Sequence, residues 1–359
     1  MSTLSLIQRV VAIAAVTGLL VGFSLSTAWA QDSNELSVRP TSGDTAAARD
    51  AINVRRHATP PRTSQTSVPT SRPAELLSAG STANVGTAAS AASPSSQAFV
   101  RYPADVVYQG GAVVESAESH AVYLLPNGHC PISECWGNPE GFLRDLTASE
   151  FVHVLDQYAG LTANNRYTVG RRARVSYAPP AVPLTDNDVI AFVHSVASVT
   201  GETGYGHIYH VFLPPGQDEC FDSTFTVCYS PDNLNTFAFC AYHGSADFTD
   251  IGHVLYSVEP FQDVFGCSDP PGTPNGQLVD STNDTLSHEF FETVSDPDGT
   301  GWWNSTPSVT GLEGEEIGDE CVFITLPAFG DASVFRIDDK TYAVQLEYSN
   351  SKHGCANTP

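Results

Sequence analysis

His288, Glu289 and Glu292 stand at H-E-x-x-E spacing inside the stretch LSHEFFETVSDPDGTGWW. On a helix of ~3.6 residues per turn, positions 288 and 292 share a face one turn apart, with Cβ atoms roughly 5–6 Å from each other. An imidazole nitrogen and a carboxylate oxygen so placed can hold one divalent cation. Glu289 beside them can act as general base toward water. Leu286, Phe290 and Val294 form the apolar stripe on the other side. More carboxylates follow at Asp296 and Asp298, then at Glu315, Glu316 and Asp319 in GLEGEEIGDEC. Gathering that much negative charge around one histidine is unfavourable without a cation. The expected ligands are His288, Glu292 and a third carboxylate, Asp319 or Glu316, with Asp296 as a further alternative. Two carboxylate ligands favour harder cations than a two-histidine set does. Zinc is the first expectation. The run Asp296-x-Asp298-x-Thr300 has the 1, 3, 5 oxygen spacing of a calcium loop, which makes calcium the alternative. His243, at the end of TFAFCAYHG, is the candidate transition-state donor or additional ligand. The competing reading is an ordinary amphipathic helix with a solvated acidic face, since short motifs often arise by chance.

The elements that must position these residues are legible in the same chain. HAVYLLP reads as a strand, and PEGFLRDLTASEFVHVLDQYAG carries apolar residues at helical spacing with Gly160 as a stop. PLTDNDVIAFVHSVAS opens with a capping pair, Thr185 and Asp188. HIYHVFLP, TFAFCAYHG and HVLYSVEP are β-branched and aromatic runs bounded by turn residues, hence strands. In the first of these, His207 and His210 are three apart and must face opposite sides. The motif helix is expected to start between Asp280 and Asn283 and to end before Pro297. The fold class is α+β: a mixed or antiparallel sheet with packed helices, one of them the motif helix, stabilised by disulfides.

Residues 1–30 read as a signal peptide, with Arg9, an apolar run from Val10 to Phe23, and Ala28-Trp29-Ala30 as the cleavage site. Residues 31–98, rich in Ser, Thr, Ala and Pro, are expected to be a disordered linker or pro-segment, and residues 99–359 a single domain. Export, extracellular or periplasmic, makes eight cysteines with no C-x-x-C pair a disulfide set. The expected pairing is sequential: Cys130–Cys135, Cys220–Cys228, Cys240–Cys267 and Cys321–Cys355. The net charge is −24, and beyond Ser176 the basic side chains are Arg336, Lys340 and Lys352 alone. That excludes the basic footprint needed for nucleic acid or anionic membrane. A peptide or cell-wall polymer is the expected substrate class.

The order of YQGGAVV, LTDNDVIAFV, YHVFLPPG, FCAYHG, SHEFFETVSDP and EIGDEC resembles the phosphate-induced protein, or EXORDIUM-like, family of secreted proteins, over roughly Tyr108 to Cys355. The resemblance implies secretion and a shared fold; no established catalytic activity comes with it. A weaker similarity is to zincin peptidases, in which a sheet precedes the helix bearing H-E-x-x-H. Here Glu292 replaces the second histidine, and Met1 is the only methionine, so a Met-turn is absent. The resulting expectation is a secreted metal-dependent hydrolase, in the first instance a peptidase. The alternative is a non-catalytic extracellular binding or signalling protein with a structural cation.

Overall fold

The computed structural model describes residues 35–59, 105–126, 130–269, 271–304, 315–321, 334–337 and 339–359. The signal-peptide reading lies outside these residues. Eight strands build the central sheet: β1 (Glu35–Val38), β2 (Ile52–Thr59), β3 (Ala117–Pro126), β4 (Tyr167–Val169), β5 (Arg172–Tyr177), β6 (His207–Phe212), β7 (Ala241–Phe248) and β8 (Gly252–Glu259). Their order is β1-β5-β3-β6-β8-β7-β2, with the short β4 alongside β3. From β1 to β8 the neighbours run parallel, whereas β8–β7 and β7–β2 are antiparallel. The sheet is therefore mixed, as the α+β expectation allows.

Helices cover both faces. α1 (Ser42–Asp50) and α3 (Asp186–Thr200) pack on one, against Val122, Leu124, Tyr209 and Val211. α2 (Pro139–Ala148) and α4 (Gln277–Ser295) pack on the other, against Ala121, Tyr123, Ile208 and Phe212. The alternation of strand side chains between faces divides these sets. The long helical pattern after Pro139 breaks at Ser149, whose hydroxyl accepts from Phe151 N and starts a separate 3-10 turn. Gly160 ends the last piece in the left-handed conformation.

α4 begins at Gln277, earlier than its cluster of capping residues implies, and ends before Pro297. Leu286, Phe290 and Val294 are fully buried, and burying each is worth roughly 1.5–3 kcal/mol. The other face is buried as well, from Asp280 to Ser295. The reading of a solvated acidic face thus fails: sheet and C-terminal segments enclose the helix.

The reading of residues 31–98 as a disordered linker also needs correction. Residues 35–59 form β1, α1 and β2, which supply both edges of the sheet; residues 60–104 lie outside the described set. The cause is pairing with distant strands, which local composition does not report. In β2 the even positions Val54, Arg56 and Ala58 turn toward α3, where Arg56 meets the buried Asp186 at 2.6 Å. The odd positions turn to the other side, where Thr59 meets Glu289 of α4, His57 meets Glu316 and Arg55 donates to Asp298 O. The disulfides are the four sequential pairs. They suit an oxidising compartment. Among the described residues no helix is long and apolar enough to cross a membrane.

Candidate metal centre

The parallel and antiparallel registers place His210, Ser257, His243 and His57 in one row across β6, β8, β7 and β2. The His243 and His57 end of the row meets the polar face of α4. Opposite it lies the segment 315–321, held by Tyr348 N donating to Ile317 O (2.8 Å), by Gln345 Nε2 donating to Gly318 O (2.9 Å) and by the Cys321–Cys355 bridge.

His288 Nε2 stands 3.1 Å from Glu292 Oε2 and 3.7 Å from Asp319 Oδ1. Beyond that approach to Glu292, neither ring nitrogen of His288 has a hydrogen-bond partner, and Asp319 Oδ1 has none. The backbone N–H groups of Gly318 and Asp319 donate to Glu292 Oε1 at 3.1 and 2.9 Å, leaving Oε2 toward the histidine. Glycine is required at 318: a Cβ there would stand 2.7 Å from His288 Nδ1 and 2.8 Å from Glu292 Oε1. His288, Glu292 and Asp319 offer three ligand atoms within 4.8 Å of one another. They fit a divalent cation on the strength of those unpartnered buried nitrogens and oxygens.

Glu289 projects beside this group. Its Oε1 accepts from Thr59 Oγ1 at 2.7 Å, and Oε2 lies 3.3 Å from His243 Nδ1. His243 Nε2 donates to Asp296 O at 3.2 Å. Because that carbonyl can only accept, Nε2 carries a proton, and Nδ1 faces the carboxylates of Glu289 and Glu292. Burial opposes charge on His243, but Glu289 and Glu292 outweigh it and raise its pKa. Burial also raises that of Glu289. His288 is likewise held well above the ordinary imidazole range, with Glu292, Glu289 and Asp319 overcoming desolvation. Glu292 is lowered, because His288 and His243 outweigh its burial. Glu316 and Asp319 are pushed well up by burial, and then by Asp296 and Glu292 respectively.

Of the expected ligands, Glu316 and Asp296 are not in the His288 trio, although Glu316 comes within 4.8 Å of Glu292 and His243. They lie with His57 on the far side of His243. His57 was missing from the sequence-derived site, because its segment reads as linker. Its signal was positional only: one of two β-pattern faces in INVRRHAT carries Arg55, His57 and Thr59. The calcium-loop spacing does not build a cradle, since the two oxygens of Asp298 accept from Ser245 (2.6 Å) and Tyr205 (2.5 Å). His207 and His210 do face opposite ways. His210 bonds to Ser257 and Ser119, while His207 joins His120 and Glu118 at the strand ends. Trp302 packs between Tyr108 and Tyr158 and donates to Tyr158 O at 3.0 Å. No protein-family model, curated protein or solved structure matches the chain.

Proposed function

We propose that the chain is a secreted metal-dependent hydrolase, acting on a peptide or cell-wall polymer, with His288, Glu292 and Asp319 as the cation ligands. The observation that carries the cation in this reading is the burial of the whole H-E-x-x-E face, with His288 and Glu292 each 1% exposed and with His288 Nδ1 and Asp319 Oδ1 lacking a hydrogen-bond partner. Ionised groups taken out of water cost several kcal/mol each unless paired, and a cation supplies the missing partner. Zinc accepts both imidazole nitrogen and carboxylate oxygen and is the cation proposed. A bound divalent cation would polarise the scissile carbonyl and acidify water. Glu289, its pKa raised by burial, is a stronger base than a solvated carboxylate and so suited to take a proton from water. Thr59 and His243 orient its carboxylate. His243, whose pKa Glu289 and Glu292 raise against the effect of burial, can donate a hydrogen bond toward a developing negative charge. The likeness to EXORDIUM-like proteins rests on motif order and supports the extracellular setting, as do the disulfides.

The test compares Glu289→Gln with the wild type on unfolded casein and on cell-wall polymer, with metal content measured in parallel. The variant should keep its metal and lose activity by about 10²–10⁴-fold. A second reading, a structural cation without catalysis, is favoured by the same near-complete burial. It gains if the wild type holds stoichiometric metal, cleaves neither substrate and melts lower in chelator. Absence of metal from the purified wild type would overturn both readings.

A further inference from the structure

Beyond the His288 group, the structure holds a second set of ligand atoms in which His57, Asp296 and Glu316 lie within 4.8 Å of one another. Asp296 and Glu316 are 0% exposed, and their carboxylates lie against each other. Glu316 Oε1 and Oε2 have no hydrogen-bond partner, and neither has Asp296 Oδ2; the other Asp296 oxygen accepts from Gly301 N at 2.6 Å. His57 Nδ1 stands 3.6 Å from Glu316 Oε1. Its ring is stacked on His243 with centroids 5.4 Å apart. It is also pressed from above by Gly299, where a Cβ would come within 2.3 Å of His57 Nε2. His243 stands between the two sets, with Nδ1 3.6 Å from Glu292 and Nε2 3.5 Å from Glu316, and the three offer ligand atoms within 4.8 Å of one another, so the sets adjoin.

We infer that the centre takes two divalent cations, the second held by His57, Asp296 and Glu316. This rests on the reading of the His288 group as a metal site. The argument is one of charge. Ligating histidines are neutral, so a single cation at His288 leaves Asp296 and Glu316 in contact and buried, with three oxygens lacking a hydrogen bond and only His243, which Glu289 and Glu292 share, to offset their charge. A second divalent cation compensates both carboxylates at once and uses the His57 nitrogen that faces them. One imidazole and two carboxylates select the same borderline class of cation as the first site. His57 is contributed by β2, so the second cation ties the N-terminal edge strand to the helix and the 315–321 segment. The N-terminal segment is then part of the centre.

The experiment is metal stoichiometry on the full secreted chain, titrated with Zn²⁺ and read by elemental analysis after removal of unbound ion. Wild type should hold two Zn²⁺ per chain, and His57→Ala and Asp319→Asn one each. The wild-type count needs no variant and so does not depend on whether a substituted chain folds. The side chain of His57 is also 28% exposed and tolerates removal better than the buried carboxylates do. One Zn²⁺ in both wild type and His57→Ala would overturn the inference and leave the His288 site standing; Asp296 and Glu316 would then share a proton. No Zn²⁺ in the wild type would remove the His288 site and the inference together.

Discussion

Gly318→Ala tests the centre without touching a ligand. The new methyl group would lie 2.7 Å from His288 Nδ1 and 2.8 Å from Glu292 Oε1, where ordinary contact begins at 3.4 Å. His288 and Glu292 lie on a helix buried on both sides, and Gly318 O and Ile317 O are bonded to Gln345 and Tyr348, so neither wall retreats freely. Overpacking of this kind typically costs about 1–3 kcal/mol. The same displacement should misalign the ligands, and losing support for a ligand typically weakens metal binding about 10–100-fold. The assays are urea unfolding in chelator, for the packing cost, and competition with a zinc-binding dye, for the affinity. Gly206→Ala is the control, because a Cβ there meets nothing within 4 Å. If Gly318→Ala shows the packing cost and still holds Zn²⁺ as tightly as the control, the positions of His288 and Glu292 do not set the affinity, and the ligand assignment fails.

Other outcomes follow from the same contacts. Burial holds Glu316 and Asp319 well above the carboxylate range, so the metal-free fold keeps protons that the unfolded chain releases above pH ~4. Its stability should fall as pH rises, while bound cation displaces those protons; chelator should therefore lower Tm most near neutrality and least in acid, and coincident melting curves across pH 5 to 8 would contradict this. His210 is pushed down to about 3 by burial, so its contribution is complete above its unfolded pKa of ~6.5 and is lost as pH falls toward the folded value. His210→Asn should accordingly lose stability between pH 6 and 4 less steeply than wild type, by on the order of 1 kcal/mol per pH unit in urea titrations. Replacing Cys321 and Cys355 together by Ala should cost about 2–5 kcal/mol and raise protease sensitivity near the 315–321 segment, read by limited proteolysis. Phe290→Ala, at a fully buried position, should cost about 3–5 kcal/mol with metal binding less affected than stability.

Local pattern alone specified much of this molecule. The β-branched runs became β3, β6, β7 and β8 because their alternation satisfies a buried sheet wherever that sheet lies. The one-turn spacing of His288 and Glu292 is a property of the helix itself, and it brought their side chains together as geometry requires. The sequential cysteine pairs joined segments already close along the chain. What sequence spacing did not settle was which carboxylate would meet which histidine. Glu316 and Asp319 are three residues apart, yet the turn through Gly318 sends Asp319 to His288 and Glu316 to His57 and His243. Nor did composition reveal that Ile52–Thr59 would become an edge strand. That strand is held by β7, by Arg56 on Asp186 and by Thr59 on Glu289, partners 130 or more residues away. Whether the acidic face of α4 met water or protein was likewise a matter of what packed over it, because periodicity reports only that a helix has two unlike faces. In this chain both are buried, and the need to neutralise the polar one arises from that packing.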